Sequence, residues 1–264
     1  MQTDFLTKIV KHKKEEIAAA KRNLPENLVR DKAAVPQKRR MFFKKLEEPG
    51  PSGINIIAEI KRASPSKGEI RRDINPGIYA SEYERGGAAA LSVLTDRLYF
   101  KGSIKDFKAA RQAVTIPVLR KDFLISTYQI YESAMIGADA VLLIARILSR
   151  EQMHGYLSLC NELKMDALVE INTKEDFEAA TNAGARLIGI NNRDLSIFKT
   201  DINTTINMAS LLKPDQVAVA ASGIRTREDI EKIQKAGIWN FLIGESLMRA
   251  SNPRDFLMSL MGKC

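Results

Sequence analysis

Residues 56–68, IIAEIKRASPSKG, begin as a buried strand and then carry two opposite charges into it. Side chains alternate across a strand, so Ile56, Ala58 and Ile60 share one face, while Ile57, Glu59 and Lys61 share the other. Unpaired charge is costly to bury. Glu59 and Lys61 therefore need a setting in which the end of a strand opens into a polar space.

The rest of the chain supplies that setting. From residue 54 onward, short β-branched apolar runs alternate with helical patterns that open on polar residues or proline, as βα units do. Strands are expected at 54–61, 89–95, 117–121, 140–144, 166–170, 187–191, 216–220 and 240–243. Helices are expected after each, at 76–85, 103–113, 126–136, 149–163, 173–183, 204–212, 226–236 and 254–261. Several begin on Ser or Thr, as N-caps should. Small-residue turns such as Gly86-Gly87-Ala88, Gly137-Ala138, Gly184-Ala185 and Gly237 mark helix ends. The pattern predicts an α/β protein, a (β/α)8 TIM barrel over 54–264 with an N-terminal helical extension over 1–53, forming one domain. An open doubly wound sheet is the alternative.

In such a barrel Glu59 and Lys61 point inward at the mouth, where active sites of this architecture lie. A structural ion pair plugging the barrel is the competing explanation for this strand alone. Other strands also end on polar residues: Lys121, Glu170, Asn191 and Ser222. Their convergence on one face predicts a polar pocket. Glycine turns follow the seventh and eighth strands, Ser222-Gly223-Ile224 and Ile243-Gly244-Glu245-Ser246, where barrels bind phosphate through backbone N–H groups and a short helix N-terminus. A phosphorylated small-molecule substrate is expected.

Composition narrows the chemistry. Hydrophobic residues make up 45% and charged residues 28%, and apolar runs such as 140–145 are too short to span a bilayer, so no membrane partner is expected. The start, MQTDFLTKIVKHKKEE, lacks the apolar segment of a secretory signal. Cysteines at 160 and 264 make neither a disulfide framework nor a thiolate zinc cage, and a cytoplasmic location fits. Only His12 and His154 occur, both expected on helices away from the strand ends, so neither a histidine metal site nor a Ser-His-Asp triad is predicted. Residues 64–68, SPSKG, lack the leading glycine of a phosphate-binding P-loop, and no dinucleotide fingerprint follows a strand. Lys and Glu remain as the reagents.

The formal charge is +9, and residues 1–45 hold 13 Lys/Arg against 5 Asp/Glu. Residues 4–22 read as an amphipathic helix with Phe5, Ile9 and Ile17 near one side and lysines elsewhere. The excess reads as a solvated face, and no nucleic-acid partner is expected, because no aromatic-interleaved basic strand or zinc spacing accompanies it.

The blocks IIAEIKRASPSKG, ALSVLTD, VLRKDF, LVEIN, IGINNRDL and FLIGESLMR, in that order over nearly the whole chain, resemble the indole-3-glycerol phosphate synthase family of tryptophan biosynthesis. The resemblance implies a carboxy-lyase that closes, decarboxylates and dehydrates 1-(2-carboxyphenylamino)-1-deoxyribulose 5-phosphate without a metal or organic cofactor. By resemblance, Lys121 is the general acid at the substrate ketone and Glu170 the leading base. Lys61 engages the carboxylate or phosphate and can act as acid in dehydration, while Glu59 holds the lysines or shares the base role. Asn191, Arg193, Ser222 and Ser64 bind substrate, and Gly223, Gly244 and Glu245 offer backbone N–H groups to phosphate.

The chain departs from the family at Ala221-Ser222-Gly223, where Glu-Ser-Gly is usual, so one expected carboxylate is missing. Another phosphate-binding barrel, such as an isomerase of an aminated sugar phosphate, would share the fold but not the Glu59–Ser66 block. A barrel retired from catalysis, binding through its basic N-terminus, is the alternative from a different class. A monomer is expected, with a homodimer open.

Overall fold

The structure, a computed structural model, describes residues 5–194 and 199–263. Asp4, Leu195 and Cys264, which entered the sequence reading, lie outside the described residues. Eight parallel strands close into a barrel: β1 (Asn55–Ile60), β2 (Ala90–Leu94), β3 (Val118–Lys121), β4 (Ala140–Ile144), β5 (Asp166–Ile171), β6 (Leu187–Asn191), β7 (Val217–Ala221) and β8 (Asn240–Ile243). Each pairs with its sequence neighbours, and β1 closes the ring by pairing Asn55 with Asn240 and Ala58 with Ile243 of β8. The closed order excludes the open doubly wound sheet. Each strand lies within one residue of its expected bounds, and the small shift of β7 makes Ala221 its last residue.

The alternation read from residues 56–61 is realised as two cores. Ile56, Ala58 and Ile60 pack outward with Tyr83 and Phe107 of the helical layer. Ile57 turns inward to meet Leu119, Leu142, Leu168, Val219 and Leu242, side chains from alternating positions on the other strands.

Helices follow the strands because their ends are well marked. Ser103, Ser126, Ser149, Thr173 and Thr226 cap their helices by accepting backbone N–H bonds, and the last three form capping boxes. The expected helix at 204–212 is instead Asn203–Ala209; Thr204 is no cap, and the Asp201 carboxylate accepts from the Asn203 N–H at 2.9 Å. A short helix, Glu245–Arg249, precedes the final one, Pro253–Leu260. At the helix exits Gly87, Gly137, Gly184 and Gly237 adopt positive φ, and Lys164, at φ 56°, does the same job without glycine's freedom.

The extension runs from one end of the barrel to the other. Helix α1 (Phe5–Asn23) lies across the mouth, packing Leu6 and Ile9 into the interior core beside Phe123 and Ile144. Helix α2 (Glu26–Ala33) packs on the side of the barrel against the helix Thr127–Met135. Helix α3 (Phe42–Leu46) closes the far end: Phe42 and Leu46 are fully buried, the Phe43 N–H donates to Asp166 at 2.8 Å, and the Asn240 amide donates to the Leu46 carbonyl at 3.0 Å.

Three cations of the extension depart from the solvated-face reading. Lys13 is buried, and the Arg39 and Arg40 guanidinium groups donate to the carbonyls of Ala138 and Ile116 at 2.9 and 2.8 Å. Lys8, Lys11, Lys14, Lys32, Lys38, Lys44 and Lys45 are exposed as expected. Among the described residues no helix is long and apolar enough to cross a membrane.

Candidate active site

A cavity of about 450 Å³ opens at the C-terminal ends of the strands, lined by Glu59, Lys61, Ser64, Lys121, Glu170, Asn191, Arg193, Ser222, Gly223, Gly244 and Glu245, so every expected site residue meets there. Glu59 lies at its floor, only 3% exposed. Its carboxylate pairs with the Lys61 Nζ at 2.6 Å and the Lys121 Nζ at 3.6 Å. Burial alone would push the Glu59 carboxyl up, but the two ammonium groups outweigh it and hold it below the usual carboxylate range. Burial likewise disfavours the Lys121 ammonium, and Glu59 with Glu170 more than restores it, so Lys121 stays a proton-bearing group.

Glu170, near the end of β5, accepts from the Asn191 amide at 3.1 Å, and the Asn191 carbonyl oxygen accepts from the Arg193 N–H at 3.0 Å. The Arg193 guanidinium reaches the Ser66 hydroxyl in the loop after β1 and lies 3.8 Å from Glu245. That loop folds into a two-stranded ribbon, Ala63–Ser64 against Gly68–Glu69, absent from the sequence reading. Two buried donors aimed into this region, the Ser64 hydroxyl and Arg193 Nε, have no hydrogen-bond partner among the described residues. Unsatisfied buried donors cost stability, and a ligand that accepts from them recovers it.

The glycine turns differ from one another. Ser222 (φ 68°) and Gly223 (φ 79°) are both left-handed, and a Cβ on Gly223 would overlap Thr200 Cγ2. Gly244 caps the short helix Glu245–Arg249 with negative φ. The Glu245 side chain pairs with Arg249 at 3.2 Å, so Arg193, Arg225 and Arg249 bring guanidinium groups to this end of the cavity. The sequence reading missed Lys67, Arg225 and Arg249 as site residues, although Lys67 and Arg249 lie inside the quoted blocks 56–68 and 241–249 and Arg225 follows Gly223 by two.

It also missed the opposite wall. Phe5 and Ile9 of α1 line the cavity with Phe100, Phe123, Leu142 and Ile144, forming an apolar face across from the charged one. Behind that wall Lys13 Nζ bridges Asp96 at 2.9 Å and Asp122 at 3.0 Å, and also meets Glu16 at 2.5 Å. Asp122 follows Lys121 directly and is further held by Thr95 at 2.5 Å and Arg120 at 3.4 Å. His12, expected away from the strand ends, stands on α1 edge-on to Tyr99, while His154 lies on the helix Arg150–Glu162.

The arrangement thus offers two ammonium groups, two carboxylates, an arginine-rich end and an aromatic wall. Comparison with known proteins agrees with it. The family model for indole-3-glycerol phosphate synthase matches residues 6–260. The chain is 54% identical over 259 residues to the indole-3-glycerol phosphate synthase of Desulfosudis oleivorans, covering 98% of each chain. It is 51% identical over 260 residues to that of Syntrophobacter fumaroxidans, again with 98% of each covered. Among solved structures, a 3-hexulose-6-phosphate synthase superposes with a TM-score of 0.63 at 14% identity, over 80% of this chain and 99% of that one, a likeness of fold alone. With the match extending from α1 to the last helix, the chain belongs to the indole-3-glycerol phosphate synthase family.

Proposed function

We propose that the cavity converts 1-(2-carboxyphenylamino)-1-deoxyribulose 5-phosphate to indole-3-glycerol phosphate, carbon dioxide and water, with the residues above in specific roles. The observation that carries the assignment is the placing of Lys61 and Lys121 on one carboxylate, Glu59, between an aromatic wall and an arginine-rich end. The substrate has the matching order: an aromatic amine at one end, a ketone in the middle and a phosphate at the other.

Lys121 donates a proton to the ketone oxygen as the ring carbon bearing the carboxylate attacks the ketone carbon. The new carbon–carbon bond interrupts the aromatic ring, and loss of carbon dioxide leaves its electron pair in the ring. The hydroxyl formed from the ketone then leaves as water. Lys61 is placed to protonate it, and Glu170 removes the proton whose loss completes the indole. Glu59 keeps both ammonium groups oriented. Asn191, Arg193, Ser222 and Ser64 bind the sugar hydroxyls and carboxylate; Gly223, Gly244 and Glu245 offer backbone N–H groups to the phosphate, with Lys61 in reach. The steps are a carbon–carbon addition, a decarboxylation and a dehydration, and we assign no metal or organic cofactor.

All these side chains come from one chain, so the site is complete within a single protomer. The buried free thiol of Cys160, pushed up to about 12 by burial, suits a reducing cytoplasm. The extension lies across the mouth and closes the far end of the barrel, and we read the two as one cooperative domain without a nucleic-acid partner. The deciding assay follows indole fluorescence on adding the carboxyphenylamino sugar phosphate. Saturable product formation is expected; no turnover by either this chain or its Ala221→Glu variant would overturn the assignment.

A further inference from the structure

Gly244 follows β8, and its φ of −129° lies outside the left-handed region that favours glycine. What requires glycine is the neighbouring strand. Ala58 of β1 pairs with Ile243 of β8, which sets the next residues, Glu59 and Gly244, side by side. A Cβ at position 244 would overlap Glu59 Oε1 and lie 3.0 Å from both Cβ and Cδ of Glu59. The first overlap could be relieved by rotating the carboxylate. The approach to Cβ could not, because that atom is fixed to the strand backbone. Glu59 is only 3% exposed, so a displaced carboxylate can move only into the cavity it lines. An alanine at 244 must therefore displace the carboxylate from its place between the two ammonium groups.

We infer that Gly244 is a positioning residue, its missing side chain holding the Glu59 carboxylate against Lys61 and Lys121. The inference rests on the reading of Lys121 as proton donor, and it differs from a role for Gly244 in phosphate binding alone. Lys121 is faced by Glu59 from β1, by Glu170 from β5, by Lys61 after β1 and by Arg193 after β6. If Glu59 withdraws, one of the two carboxylates that keep the buried ammonium protonated is lost. The proton then leaves Lys121 at lower pH.

The test is Gly244→Ala, alone and combined with Glu59→Gly. Expected for the single variant are a kcat lower by roughly tenfold or more, binding of inorganic phosphate within about threefold of the parent, and an alkaline limb of the kcat profile displaced to lower pH. A phosphate role alone would weaken phosphate binding and leave that limb in place, which would overturn the inference. Thermal unfolding gives a reading that needs no turnover. Gly244→Ala should lower the melting temperature of the parent but add little to Glu59→Gly, where neither the Cβ nor the carboxylate remains to be displaced. An equal loss in both backgrounds would sink the coupling, whereas failure of the parent to turn over the sugar phosphate would sink the functional assignment and leave this thermal test standing.

Discussion

Replacing Lys13 by methionine should both destabilise the protein and weaken substrate binding, although position 13 lies in a Lys-rich helix. The side chain is 3% exposed and its ammonium bridges Asp96 and Asp122. Removing one partner of a buried ion pair costs about 3–5 kcal/mol, because the charge left behind is uncompensated. Here the aspartates keep other donors. Asp122 retains Thr95 and Arg120, and Asp96 accepts from the N–H groups of Tyr99 at 2.7 Å and Phe100 at 3.1 Å. The low end, about 3 kcal/mol, therefore applies, equivalent to a fall in melting temperature of about 6 °C at roughly 2 °C per kcal/mol for a chain of this size. Because α1 carries Phe5 and Ile9 into the cavity wall, its loosening should raise KM more than it lowers kcat. The pH dependence has a definite sign. The folded Asp122 carboxyl lies below its usual range: burial would raise it, but Lys13 and Arg120 outweigh that. Its contribution is present above the unfolded pKa of about 3.9 and is lost as pH falls through the depressed folded value. Lys13 is raised, since Asp122 and Asp96 outweigh its burial, so its contribution is complete below about 10.4 and fades as pH rises further. The gap between parent and variant should thus be widest near neutrality and narrow in strong acid and in strong base. Thermal melts across pH and steady-state kinetics measure both effects, with Lys14→Met, at an exposed neighbouring position, as control. A Lys13→Met protein that melts with the parent and keeps its KM would show that the bridge does not hold α1.

Lys121→Met should lower kcat on the order of a hundredfold or more while leaving phosphate-ligand binding within a few-fold, and Glu170→Gln should do comparable damage; stopped-flow fluorescence and equilibrium titration separate the two quantities. Normal turnover in either variant would remove that residue from its role. Lys164→Gly should stabilise the protein by about 1 kcal/mol, a rise in melting temperature of roughly 2 °C, because a left-handed helix exit strains lysine but not glycine. A lower melting temperature would mean that the lysine makes a compensating contact.

The barrel was legible because its signals are local. Alternation within residues 54–61, Ser and Thr at helix starts, and glycine at helix exits each act within a few positions. The charged half of the site was legible for the same reason: Glu59, Lys121, Glu170 and Asn191 interrupt or end apolar strands. What escaped depends on distant pairing. Lys13 occupies a position on the buried stripe of Leu6 and Ile9, but a lysine there reads as surface until Asp96 and Asp122 are known to lie beneath it. Phe100 and Phe123 read as ordinary apolar residues after their strands, and nothing local says that both face α1. Gly244 was legible as a turn, but not as the vacancy that Glu59 fills.

Ala221 lies where these two kinds of information meet. It shares the inward parity of Val217 and Val219 and lies in the interior core, 5% exposed, paired across the sheet with Asn191 on one side and Leu242 on the other. It also lines the cavity, so a longer side chain there would enter the mouth that holds Lys61 and Lys121. Alanine offers no hydrogen bond to the reacting amine or to a lysine. A hydrogen bond involving a charged group contributes roughly 1.5–3 kcal/mol, so a carboxylate at this position should raise catalytic efficiency about ten- to a hundredfold. The remaining machinery does not need it to function, because Lys121 keeps its proton through Glu59 and Glu170. Ala221→Glu is therefore expected to be faster, with a melting temperature at or below that of the parent, since it places a charge in a mouth now lined there by a methyl group. If the variant is folded and no faster, that carboxylate does not limit the reaction in this chain, and Glu170 with Glu59 suffices for the proton transfers.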